Sequence, residues 1–301
     1  MSFPYVSDLV RVSLGVNVPL PIPTFGLCVA LAVMLAAYVF SRNIRRAEAI
    51  DRLPAGSHRL VSDLTAITLL AGIIGARLFD ILDHVPEFAA DPTGHIFSRQ
   101  GFSIYGALLF GVAVGVWFLR RHRIPVVPML DSVAPALLLG YAIGRIGCQV
   151  SGDGDWGIAA NPALKPEWLP MWLWAQTYPG NIVGQVIPPP GVYPTPIYES
   201  VAALLMFSIL QGWSKQPRPR GAVFALYLLC AGFERLLIEK IRINPRLGFL
   251  GIAFTQAELI SVCLIFVGIG VLVVTLPRRR RWFRLVVPLG LIALLSACVV
   301  I

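Results

Sequence analysis

Charge is scarce in this chain of 301 residues: Asp, Glu, Lys and Arg make up 14% of it, against 56% hydrophobic residues. A soluble domain carries about 25% charged residues, so that class is excluded. Histidine is scarcer still, with only His58, His84, His95 and His122. All four lie outside the long apolar runs, which excludes a histidine base within the membrane unless His84 or His95 folds inward. The five cysteines (Cys28, Cys148, Cys230, Cys263 and Cys298) form no CxxC pair and no metal-ligand spacing. They read as buried apolar thiols, and neither metal nor cofactor is expected. There is no internal repeat and no low-complexity tract. The first 20 residues lack the basic start and small-residue cleavage site of a signal peptide. Within them, VSDLVRVSLG has the periodicity of a short interfacial helix.

Apolar runs dominate what remains. Spans are expected near residues 22–41, 60–82, 102–119, 128–149, 196–213, 221–241, 254–276 and 285–301. Most approach the roughly 20 residues that cross a bilayer. Their unbroken apolarity, without ten-residue alternation, excludes a β-barrel and leaves α-helices. The expected fold is therefore an all-α polytopic membrane protein.

The net charge of +9 is concentrated in four connections. The first holds Arg42, Arg45, Arg46, Arg52 and Arg59, the second Arg120, Arg121 and Arg123. The third holds Lys215, Arg218 and Arg220, the fourth Arg278 to Arg281 and Arg284. All fall on one side, which the positive-inside rule makes cytoplasmic, leaving the N-terminus outside. Short basic runs beside spans are topology signals, so no nucleic acid is expected as a partner. The outside loops, 83–101 and 150–195, are longer. The second carries Trp156, Trp168, Trp172 and Trp174. Such a density beside spans fits an interfacial belt; a loop cap gating a lipid-accessible cavity is the other reading.

Three arginines stand where arginine is expensive. Arg77, Arg145 and Arg235 lie in or at the edge of apolar segments, at a cost of at least about 2.5–3.5 kcal/mol each at the bilayer centre. Arginine binds phosphate bidentately, so an intramembrane pocket for an anionic lipid headgroup is expected. Arg145 opens the stretch GRIGCQVSGDGDWG, in which a helix ends in a glycine-rich acidic loop. Backbone NH groups of Ser151, Gly152 and Gly157 beside a guanidinium suit a phosphate cradle. Arg235 and Glu239 are four apart and share a helix face, followed by Arg242. Glu239 either forms a structural ion pair with Arg235 or orients it on an anion and takes a proton. Ser103, Tyr105 and Gly106 open the third span with hydroxyls and a small contact surface. Tyr193, Pro194, Thr195, Pro196, Tyr198 and Glu199 open the fifth.

In this order the motifs G-R-I-G followed by G-D and W-G, G-x-S-x-Y-G, Y-P-T-P-x-Y-E, R-x(3)-E-x(2)-R and G-x-A-x-T-Q resemble the prolipoprotein diacylglyceryl transferases over roughly residues 20–276. The resemblance implies a seven-helix inner-membrane enzyme, here with an eighth C-terminal helix and a periplasmic loop cap. It implies transfer of the diacylglyceryl group of phosphatidylglycerol to the lipobox cysteine of a prolipoprotein signal peptide, with release of glycerol phosphate, at the periplasmic face. By position, it makes Arg145 and Arg235 headgroup phosphate ligands. Asp153 takes the place of the acidic loop residue, Gly157 that of a near-invariant glycine and Glu239 that of the helix acid. Gly75-Ala76-Arg77 matches a Gly-Ala-Arg at the outer end of the second span. Tyr105 stands where the family usually has histidine, Tyr193 where it often does. Ala231 replaces a tyrosine and Cys148 an asparagine.

The expected catalytic group is thus Arg145, Arg235, Glu239, Tyr105 and Asp153, with the base among the last three. Arg77, Gly106, Ser151, Gly152, Gly157, Tyr198 and Arg242 are expected to bind substrate. The departures also admit a divergent paralogue with another acceptor or donor, or a non-catalytic phospholipid-binding protein. The expected division is a transferase-like domain over 1–276 and a basic linker with an extra helix over 277–301. That tail has the shape of a lipoprotein signal, ending Leu295-Ser296-Ala297-Cys298; the alternative is a plain helix that contains a cysteine.

Overall fold

The structure is a computed structural model that describes residues 2–16, 22–97, 103–245, 247–249 and 252–275. Its helices in chain order are α1 (Val6–Leu14), α2 (Thr24–Ala49), α3 (Val61–Asp83), α4 (Val85–Ala90), α5 (Pro92–Phe97), α6 (Ile104–Arg121), α7 (Val126–Ser151), α8 (Met171–Trp174), α9 (Thr195–Trp213), α10 (Ala222–Glu239) and α11 (Gln256–Thr275). Between α10 and α11, β1 (Leu247–Phe249) and β2 (Ile252–Phe254) form a small antiparallel hairpin with Gly248 opposite Ala253. The all-helical membrane fold stands, with this hairpin as an addition. The first seven expected spans coincide with α2, α3, α6, α7, α9, α10 and α11; the eighth and Cys298 lie outside the described residues.

Five of these helices, α2, α3, α6, α7 and α11, are long and apolar enough to cross a membrane. Of the remaining two, α9 carries Glu199, and α10 carries Glu234, Arg235 and Glu239. These two helices, together with Arg145 of α7, hold the candidate site. Large apolar side chains face outward along the spans, among them Met34, Leu70, Ile74, Leu108, Leu205 and Phe266. Outward apolarity of this kind is the surface that lipid solvates.

The chain forms two compact units, whose boundaries fall within α2 after Ala36 and within α7 after Leu130. In the unit Ala37–Leu130, α3 packs on α6 through facing glycines. A Cβ on Gly75 or Gly106 would overlap the other's carbonyl oxygen. Without one, the backbones come together and gain dispersion contacts, the usual means of joining helices in lipid. Nearby, the Ser103 backbone N–H donates to the Ala76 carbonyl at 3.1 Å.

In the other unit, α10 packs on α11. Gly232 lies against Ser261 and Ile265, and Gly268 against Ala225 and Leu229. Ala134, Leu138, Leu210 and Val223 join α7, α9 and α10 in one apolar cluster. The buried Asp131 carboxylate accepts from the backbone N–H groups of Gly221 (2.6 Å) and Phe224 (2.9 Å), capping the start of α10. Helix starts leave such N–H groups without partners, and a carboxylate there also meets the positive end of the helix dipole.

The segment between α7 and α9 is a folded cap with its own core. Trp156, Tyr178, Ile187 and Val192 are buried together. Trp156 is therefore core and not interfacial belt. Trp174 also looks inward, donating to the Asn161 carbonyl at 2.9 Å and meeting the Tyr193 ring edge-on. Trp168 and Trp172 remain exposed, as a belt requires. Gln149, near the end of α7, ties the cap down: it donates to Gln176 at 2.8 Å and accepts from the Tyr178 hydroxyl at 2.7 Å.

Candidate active site

Three guanidiniums and three carboxylates meet where α7, α9, α10 and the cap converge. Glu199, in the first turns of α9, is fully buried and forms the hub. Its Oε2 pairs with Arg145 Nε at 2.6 Å. Its Oε1 pairs with Arg242 Nη1 at 3.2 Å and Arg235 Nη1 at 3.4 Å. Asp155 bridges a second edge, pairing through Oδ1 with Arg242 Nη2 at 2.7 Å and through Oδ2 with Arg145 Nη1. Glu239 closes the third, pairing with Arg235 Nη2 at 3.1 Å and accepting from Asn244 Nδ2 at 2.6 Å. The Tyr141 ring lies 5.1 Å from the Arg145 guanidinium, a cation–π distance. Each buried charge thus has opposite charges beside it, the condition under which ions persist away from water.

Local sequence explains why these groups converge. Pro196 lies in the first turn of α9, where a missing N–H costs nothing. The Thr195 hydroxyl donates to the Asp155 carbonyl at 2.7 Å. Gly157 N–H donates to the Tyr193 carbonyl and Ile158 N–H to the Ile241 carbonyl, both at 2.8 Å. A Cβ on Gly157 would stand 2.5 Å from the Ile241 oxygen and 2.9 Å from Thr195 Cγ2. Only glycine permits that approach, which carries Asp155 to Arg242. The Asp155 carboxyl feels burial first, which opposes ionisation. The adjacent Arg145 and Arg242 guanidiniums outweigh it and hold the group below its ordinary value.

Of the expected site residues, Arg145, Arg235, Glu239 and Arg242 stand together in this network. Asp153 does not contact an arginine; its Oδ1 accepts from the Asp155 backbone N–H at 3.2 Å. The Gly152 N–H closes the end of α7 on the Cys148 carbonyl at 3.0 Å, and Gly152 has φ +64 with Ser2 and Asn181 against it. Ser151 is fully buried, with its hydroxyl on the Cys148 carbonyl. The N–H groups of Gly152 and Gly157 are thus occupied by backbone carbonyls and do not form a phosphate cradle. Tyr198 donates its hydroxyl to the Leu173 carbonyl of the cap. Arg77, Tyr105 and Gly106 belong to the unit Ala37–Leu130. There Arg77 pairs with buried Asp80 at 3.3 Å, and Gly106 makes the helix crossing. His84 points its Nδ1 at the Asp80 carbonyl, 3.1 Å away.

Two members of the network were not expected from the sequence, Asp155 and Glu199. The signal for Glu199 was present: a carboxylate in an apolar segment is as costly as an arginine, and three buried cations require anions. Cys148, Asp153 and Asp155 bring three donor atoms within 4.8 Å of one another. Asp155 is, however, committed to two guanidiniums, whose charge would repel a cation placed there.

Helices long and apolar enough to cross a membrane, and a buried arginine–carboxylate network held by α7, α9, α10 and a folded cap, define an integral membrane protein with a charged interior site. Comparison with known sequences makes the class specific. The family model for prolipoprotein diacylglyceryl transferase matches residues 11–274, and the chain belongs to that family of transferases. Its relatives include phosphatidylglycerol–prolipoprotein diacylglyceryl transferases from three bacteria. The Xanthomonas campestris protein is 31% identical, covering 96% of this chain and 97% of the relative. The Pseudomonas aeruginosa protein is 29% identical over 91% and 95%. The Leptospira interrogans protein is 25% identical over 81% and 86%.

Proposed function

We propose that this protein transfers the diacylglyceryl group of phosphatidylglycerol to the cysteine thiol of a prolipoprotein. The thiolate sulfur bonds to the diacylglyceryl carbon, the bond from that carbon to the phosphate oxygen breaks, and glycerol phosphate leaves with the electron pair. Arg145 and Arg235 hold the headgroup phosphate. The reaction takes place in the bacterial inner membrane, toward the periplasmic face, with the N-terminus outside. The observation that carries the reading is the convergence of Arg145 and Arg235, from α7 and α10, on the two oxygens of Glu199.

A phosphate entering this network takes over guanidinium contacts now made by carboxylates. Arg235 is the readiest to turn, since its side chain is 25% exposed, against 13% for Arg145, and its contact to Glu199 is the longest of that carboxylate's three. Glu239, four residues along α10, keeps Arg235 in place during the exchange. Arginine contacts that strengthen as negative charge builds on the leaving phosphate favour the transition state over the ground state. The same positive field favours a thiolate over a thiol.

The test is transfer to a synthetic lipobox peptide from phosphatidylglycerol micelles by the full chain in detergent. Arg145→Ala and Arg235→Ala are each expected to lower kcat/KM by about 100- to 1,000-fold, the scale of losing one stabiliser of developing charge. Either variant retaining full activity overturns the proposal.

A further inference from the structure

Glu234, beside Arg235 on α10, has no part in the network just described. It is 9% exposed, and its Oε1 is sealed from solvent with no hydrogen-bond partner among the described residues. Its electrostatic neighbours are the site itself: Glu199 of α9, Arg145 and Tyr141 of α7, Arg235 of α10, and Arg242. Yet the guanidiniums make their ion pairs with Asp155, Glu199 and Glu239. Three cations thus meet three anions, and among the described residues no cation forms an ion pair with Glu234. A buried carboxyl without a counter-ion is tolerable in its neutral form, with the proton attached. A neutral carboxyl is also a hydrogen-bond donor, the one capability that the three paired carboxylates do not have.

On the basis of the transfer reaction above, we propose that Glu234 is the proton carrier of the site. Its protonated carboxyl contacts an oxygen of the headgroup phosphate. As the carbon–oxygen bond breaks, the Glu234 proton passes to the departing phosphate oxygen. In the same step the carboxylate so formed takes the thiol proton, so that the sulfur reacts as thiolate and the starting state of Glu234 is restored. The net change is one thiol proton delivered to glycerol phosphate, with no other reactant. Histidine is absent from the described spans, Glu239 and Asp155 are held by arginines, and Asp153 is bound to the Asp155 N–H. Glu234 is the carboxyl at this site left free to exchange a proton.

The experiment compares the full-length protein with Glu234→Gln and Glu234→Asp in phosphatidylglycerol micelles. Glutamine keeps the shape and a donor N–H but cannot exchange a proton. E234Q is expected to retain its KM for phosphatidylglycerol within about threefold and to lose kcat by about 100- to 10,000-fold, the range for a lost acid–base group. E234D, which keeps a carboxyl, is expected to retain more kcat than E234Q. In the infrared spectrum of the resting protein, the carbonyl stretch of a protonated carboxyl is expected in the parent and absent in E234Q. A parent-like kcat in E234Q overturns the proposal, as does an unchanged infrared band. If Arg145→Ala also transfers at the parental rate, the failure lies in the assignment of the reaction itself. If Arg145→Ala is inactive while E234Q is parental, only the role of Glu234 fails.

Discussion

Arg77 and Arg145 begin from the same problem, a guanidinium in an apolar helix preceded by small residues, and solve it differently. Arg77 turns to Asp80, three residues along its own helix. Arg145 reaches Asp155 in the cap and Glu199 on α9, so its partners come from other elements. The glycines diverge in the same way. Gly75 and Gly106 let two helices touch, whereas Gly157 lets the cap backbone reach Arg242. Position in an apolar run flags both residues as expensive; partners distant in sequence are what tie Arg145 into the network.

The largest effect expected from breaking this contrast is at Glu199. Glu199→Gln leaves three guanidiniums short of one anion in a buried place. Removing one partner of a buried pair costs about 3–5 kcal/mol. Thermal unfolding in detergent should show a fall of that order, well beyond that of Asp80→Asn, whose partner lies one turn away on the same helix. Equal losses would erase the distinction between the two arginines.

The two cap aspartates sharpen the comparison at smaller scale. Asp155→Asn should lower transfer by about tenfold or more, since it removes a charge-assisted contact to both Arg145 and Arg242. Asp153→Asn should stay within about threefold of the parent, as an amide oxygen still accepts from the Asp155 N–H. The Asp155 carboxyl is held below its unfolded value, so its stabilisation is present above about pH 4. It is lost as pH falls through the lower folded value. The parent should therefore lose melting temperature in that acid range more steeply than Asp155→Asn; parallel curves would remove Asp155 from the account.

At the helix crossing the expected effect falls on stability and not on turnover. Gly106→Ala forces the backbones of α3 and α6 apart, at about 1–3 kcal/mol for an overpacked contact. Reduced melting temperature with near-parental kcat per folded molecule is the expected result. A selective loss of kcat would place Gly106 in the chemistry after all.

Much of this was readable in the sequence because lipid imposes strong rules. Seven spans were marked by their apolar length, and Arg145 and Arg235 by their cost within them. Asp155 was not separable from Asp153, because both sit in GDGDW. The choice depends on the turn, in which Gly152 and Gly154 both have positive φ. Glu199 was visible inside the Y-P-T-P-x-Y-E motif beside Tyr198, the residue of that pair expected to bind substrate; the Tyr198 hydroxyl ties α9 to the cap. The hairpin at Leu247–Phe254 left no pattern, being two strands of three residues each. The cap core was hidden because a buried tryptophan and an interfacial one are the same letter.

The sharing of Glu199 among three arginines also bears on how the chain enters the bilayer during synthesis. Alone in lipid, α10 would carry Glu234, Arg235 and Glu239 at a few kcal/mol for each charge. By the time it emerges, α7 and α9 have already been made and can offer Arg145 and Glu199 as company. Order of translation thus supplies the counter-charges before α10 needs them, and α10 is better understood as joining a waiting assembly than as inserting by itself.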